Sequence, residues 1–92
     1  MFKIERKGDL FNILKLFGRS CQLLKFCEEC GELIRACNRH EVSADIEKDN
    51  LTEEIADVYV MLHQIQIMYE LDHKEIEKIY NGKIDRVIQR YF

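Results

Sequence analysis

Ninety-two residues, 47% hydrophobic and 34% charged with a formal net charge of -3, describe a single all-α domain over 1–92 and exclude disorder on composition. A chain this short buries only somewhat more than about half of the surface its unfolded form exposes, so its own core is expected to be thin. The basic residues are scattered among acidic ones, which leaves no nucleic-acid or membrane footprint; with no secretory leader and no run of about 18 apolar residues, a cytoplasmic location is the default expectation.

No proline and only four glycines interrupt the chain, so long helices are allowed over most of it. A short first helix is predicted at about 10–17, with Asp9 as its cap and Gly18 ending it in the left-handed conformation that glycine tolerates. The second runs from about 20 to 39 with Ser20 as its cap. Residues 40–50 lose the apolar period and are expected to form a loop with room for one short turn. Asn50 followed by Glu53 resembles a capping box that opens a third helix to about residue 70, and Asp72 followed by Glu75 repeats the device for a fourth. The stripe Ile76, Ile79, Tyr80, Ile84, Val87, Ile88 and Tyr91 carries that last helix through Gly82 to the carboxyl end.

Four cysteines, at 21, 27, 30 and 37, admit a metal or redox pair at Cys27–Cys30, a disulfide framework, or reduced thiols packed inside. Projected at about 100° per residue, Cys27, Cys30 and Cys37 share an arc with Leu23, Phe26, Leu33 and Ile34. Free cysteine is among the most buried residue types, so the expectation is core packing in a reducing compartment. His63, in an otherwise apolar stretch, reads as a hydrogen-bonded packing residue.

The acidic clusters carry more chemistry. Glu28, Glu29 and Glu32 precede Glu54 and Asp57 by one expected helix connection. Carboxylates three residues apart on a helix have Cβ atoms about 5 to 6 Å apart on one face, so two facing helices can present four of them to one point. Like charges gathered in this way need a compensating cation or a retained proton. The hard cation that suits oxygen ligands and bridges to phosphates is Mg²⁺. In projection the first cluster forms an arc with Lys25, opposite the apolar stripe, which is also how any solvated face looks. Glu54 falls between Met61 and Ile65, and Asp57 beside Met61 and Met68, where an unpartnered charge is costly to bury.

At Gly18–Cys37 (GRSCQLLKFCEECGELIRAC) and Asn50–Leu62 (NLTEEIADVYVML) the chain resembles the MazG-like all-α nucleotide pyrophosphohydrolases, including dUTPase- and dCTPase-like members, which carry E-E-x-x-E on one helix and E-x-x-D on the next. The tail from Lys83 to Arg90 is similar to the basic helix that closes many short members, and the likeness covers about residues 10–92. The resemblance implies a four-helix, bundle-like protomer completed by homo-oligomerisation, as a homodimer or homotetramer. It implies hydrolysis of a nucleoside triphosphate between the α and β phosphates with Mg²⁺, Mn²⁺ being a possible substitute. Glu29, Glu32, Glu54 and Asp57 would hold the metal, and Glu28 would complete the shell or orient the attacking water.

Lys83 and Arg86 would meet phosphate. Lys25 can reach phosphate or neutralise its acidic neighbours, and Gln22, at the edge of the same arc, could touch a base or sugar. Two departures stand out: Val87 occupies a position where many relatives have asparagine, and the chain lacks the tryptophan with which many hold the base. Three other readings stay open, namely a phosphoribosyl-ATP pyrophosphohydrolase, a non-enzymatic helical regulatory or interaction module, and a divalent-cation binder without catalysis.

Overall fold

The computed structural model describes residues 2–42 and 48–92 and contains four α-helices: α1 (Lys7–Phe17), α2 (Arg19–Val42), α3 (Lys48–Met68) and α4 (His73–Tyr91). No strand occurs among the described residues. Of the expected 40–50 loop, residues 43–47 lie outside the described residues; α2 runs on to Val42 and α3 begins at Lys48, which puts Asn50 inside the first turn and not at its cap.

The helix ends show how local chemistry sets the chain's path. α1 begins three residues earlier than its apolar pattern suggests, because Arg6 grips the first turn: its guanidinium lies 3.0 Å from Asp9 Oδ2. Asp9 is therefore a first-turn charge that suits the positive end of the helix dipole, and not the cap. Gly18 has φ 87° and ψ 160°, a region open essentially to glycine alone and different from the left-handed helical conformation expected of it. Its N–H donates to the Leu14 carbonyl at 2.8 Å, closing α1, and α2 starts at the next residue, leaving Ser20 inside the helix.

α3 closes differently. The N–H of Leu71 donates to the Gln66 carbonyl at 2.8 Å and that of Glu70 to the Ile67 carbonyl at 3.2 Å, the paired bonds of a Schellman end. Glu70 takes the left-handed position at φ 53° without being glycine. Asp72 then caps α4 as expected, its Oδ1 accepting from the Lys74 N–H at 3.1 Å.

α2 and α3 form the most extensive helix contact and run antiparallel. Their register is readable from three pairs: Arg19 with Met68, Glu29 with Asp57, and Glu32 with Glu54. The same register sets Gln22 level with Gln64. α1 lies across the pair, tied by Gln64 Nε2, which donates to the Leu10 carbonyl at 2.8 Å. His63 is 5% exposed with Nε2 3.3 Å from the Phe2 carbonyl, the packing role the sequence suggested. The apolar core is thin: Ala36, Met61 and Met68 are the buried hydrophobic residues among those described.

The cysteines do not form part of that core. Cys21, Cys27 and Cys37 are exposed, Cys30 is half-buried, and all four are free thiols. The reason is rotational. α2 turns inward the line Gln22, Phe26, Glu29, Leu33 and Ala36, and not the line of Cys27, Cys30, Ile34 and Cys37, so Ile34 is left 61% exposed.

α4 stands apart. It carries no buried residue and makes no helix contact as extensive as those among α1, α2 and α3. Its apolar stripe faces solvent: Ile79, Tyr80, Ile84, Val87 and Ile88 are 45 to 55% exposed and Tyr91 71%. No described helix is long and apolar enough to cross a membrane.

Candidate active site

The rotation of α2 that exposes the cysteines is the same rotation that buries a carboxylate. Glu29 is 5% exposed and faces α3, contrary to the solvated face the projection allows. Glu54 and Asp57, from the second and third turns of α3, are half-buried opposite it. One oxygen from each of Glu29, Glu54 and Asp57 lies within 4.8 Å of the others. Glu32 is half-buried one turn along α2, beside Glu54, whereas the Glu28 side chain is 61% exposed at the rim.

The electrostatics of this cluster are unfavourable on their own. Burial raises the Glu54 carboxyl above its usual range, and the charges of Glu32, Asp57 and Glu29 raise it further. Burial likewise raises Asp57, followed by Glu29 and Glu53, with Lys25 opposing them. Lys25 is the counter-charge: its ammonium lies 3.0 Å from Glu29 Oε1 and 3.7 Å from Glu28 Oε2, and the hydrogen bond to Glu29 raises its own pKa.

Two oxygens are left over. Glu29 Oε2 and Glu54 Oε2 are buried with no hydrogen-bond partner. A buried carboxylate oxygen is normally satisfied, so two orphans in one cluster ask for a cation. The donor set is all oxygen, which suits a hard divalent ion. Three carboxylate oxygens within 4.8 Å of one another are close enough for one ion to be held among them after side-chain rotation. The residues present fit such an ion.

The remaining expected residues divide. Lys25 is brought to the cluster, and Gln22 lies on the same inward face of α2 but is 6% exposed, away from the open arc where the projection put it. Lys83 and Arg86 are exposed on α4, which does not fold back over the cluster. Two cavities, of about 780 and 480 Å³, lie at the α3–α4 corner and between α1 and α3, and no carboxylate of the cluster lines either. Sequence reasoning missed the buried amides Gln64 and Gln66, 0% and 4% exposed, each with an unpartnered Oε1. Their signal was only two polar residues flanking Ile65 in an apolar run.

No curated protein and no solved structure matches the chain significantly. The family model of the MazG nucleotide pyrophosphohydrolase domain does match, over residues 18–91, a span that includes both acidic clusters and the whole of α4.

Proposed function

The chain thus belongs to the MazG nucleotide pyrophosphohydrolase family, and from that premise we propose that residues 1–92 act as one domain hydrolysing a nucleoside or deoxynucleoside triphosphate. Water adds at the phosphoryl group, the bond between the α and β phosphates breaks, and the products are a nucleoside monophosphate and pyrophosphate. The observation that carries this reading is the converging oxygens of Glu29, Glu54 and Asp57, two of whose carboxylates keep a buried, unpartnered atom.

Glu29, Glu54 and Asp57 would hold Mg²⁺, or Mn²⁺ in its place, with Glu32 as a fourth carboxylate. A bound divalent ion offsets phosphate charge and lowers the pKa of a coordinated water. The protein's share is positioning. Glu28, exposed at the rim next to Glu29, accepts a hydrogen bond from the attacking water and fixes its approach. Lys25 meets the phosphates from the same rim. Burial first, and the neighbouring carboxylates after it, disfavour the charged forms of Glu54 and Asp57, and a bound cation would offset both.

Lys83 and Arg86 supply further phosphate contacts from α4 of a second copy, in a homodimer or homotetramer. Surface area supports association. The chain exposes 7492 Å², against about 5,600 Å² expected for a folded monomer of 11.0 kDa. The difference, about 1,900 Å² per chain, exceeds the roughly 800 Å² that each partner buries in a standard interface. On α4 the basic residues Lys83, Arg86 and Arg90 border the exposed apolar stripe, so a partner that covers the stripe also meets the charges.

The test is magnesium-dependent release of pyrophosphate from a panel of canonical and modified nucleoside triphosphates, with Glu32→Gln and Asp57→Asn as controls. At least one nucleotide is expected to yield pyrophosphate far above both variants. If none does, the enzymatic reading fails.

A further inference from the structure

Lys25 and Glu29 form an unequal pair. The Glu29 side chain is 7% exposed and held between two helices, while Lys25, one turn earlier, is 51% exposed on a flexible stem. Lys25 engages Oε1 of Glu29, leaving Oε2 buried and without a hydrogen-bond partner in a carboxylate that converges with Glu54 and Asp57. Among the described residues Lys25 is the one cation with an ion pair to these carboxylates. Of the two partners, only Lys25 has room to move.

We propose that Lys25 is an exchangeable counter-cation of the cluster: it neutralises Glu29 while no divalent ion is held there, then gives Glu29 up and carries its ammonium to a phosphate oxygen of the nucleotide. This rests on the proposed function. An ammonium and a divalent cation on the same carboxylate repel each other, and that repulsion is strong at a few ångströms in a partly desolvated site. The arriving polyphosphate offers the displaced ammonium a new anion from the solvent side, where the Lys25 stem already lies. Lys25 thereby sets both the threshold for the metal and the grip on the substrate, with opposite signs.

The experiment uses the full chain with Lys25→Met and Lys25→Gln, which remove the charge, and Lys25→Arg, which keeps it. Calorimetric titration with Mn²⁺ in the absence of nucleotide should show binding about three- to tenfold tighter in the Met and Gln variants and little changed in the Arg variant, as relief of a charge–charge repulsion requires. The metal-free Met and Gln variants should melt at lower temperature and gain more from saturating Mn²⁺ than the wild type. At saturating Mg²⁺ the KM for nucleotide should rise about tenfold in both, the opposite direction to the metal. Weaker metal binding in those variants would mean that Lys25 is a fixed support orienting Glu29, and the proposal fails. It also fails if affinity is unchanged, or if the Arg variant tightens as much as the others. If the Met and Gln variants show no cooperative melting, the Arg variant decides: unchanged metal affinity with retained nucleotide KM upholds the proposal. A wild type that takes up no Mn²⁺ overturns the proposed function itself, a result distinct from all of these.

Discussion

The middle of the α2–α3 pair and the surface of α4 break the usual rule of burial in opposite directions. Between α2 and α3, carboxylates sit where apolar residues are the norm, with two of their oxygens unsatisfied. Along α4, isoleucine, valine and tyrosine sit where charges are the norm, exposed from Ile79 to Tyr91. Each region departs from self-sufficiency in the way its missing partner would correct: a cation for the first, an apolar surface for the second. The contrast teaches where to look for chemistry in a small helical chain. With three buried apolar residues among those described, each departure weighs heavily on a marginal stability.

The comparison is broken most severely at the cluster. Asp57→Asn and Glu29→Gln should each lower kcat by at least about 100-fold, the scale of losing one preorganised electrostatic group. Both should leave the metal-free protein as stable as the wild type or more so, because they remove mutual repulsion; steady-state kinetics and thermal melting check the two halves. A fall in both activity and metal-free stability would mean that the carboxylates support the fold.

Next in size is α4. Ile84→Glu on its stripe should raise the dissociation constant of the assembly by about 100-fold, since it asks the interface to bury a charge. Sedimentation velocity across a concentration series measures this, and a wild type that stays monomeric at micromolar concentration ends the idea of a covered stripe.

Acidity sharpens the contrast without mutation. Glu54 and Asp57 bind protons more tightly in the folded state than in the unfolded, so metal-free stability should rise as pH falls from neutral towards the ordinary carboxylate range near about 4. Saturating Mg²⁺ should flatten that slope. Denaturant melts at several pH values, with and without the ion, report the difference.

The smallest effect tests independence. Asp72→Ala removes the α4 cap, worth about 1 kcal/mol. In an Ile84→Glu background it should reduce helicity by circular dichroism without moving the melting of the α1–α3 body.

Parts of this were legible in the residues. Asp72 was readable as a cap because its partner is two residues away, and His63 as a packing residue because a lone polar ring in an apolar run must be satisfied. Glu54 and Asp57 stood out because they interrupt apolar surface. Glu29 did not, because a projection of one helix shows which residues share an arc and cannot show which arc meets the neighbour. The cysteines were misplaced by that same ambiguity: an arc holding Leu23, Phe26 and Ile34 looks inward, yet the helix turns some 80° to bring Glu29 to α3. The isolation of α4 was equally hidden, since an amphipathic stripe reads alike whether its partner is the same chain or another. The start of α1 depended on the Arg6–Asp9 contact, which no apolar period records.

Arg19 deserves a mechanical reading. Its guanidinium donates to the Met68 carbonyl at 3.0 Å and lies 4.7 Å from the Tyr69 ring centre, fastening the first turn of α2 to the last of α3. Glu29 and Asp57 lie ten and eleven residues away, about 15 Å along the two helices. The pair is a clamp fastened at both ends, by Arg19 at one and by the chain passing from α2 into α3 at the other, with its charge at mid-length. Repulsion among the carboxylates therefore bows the two helices between fixed points, a load that opening either end cannot release and that a cation held between Glu29 and Asp57 would remove.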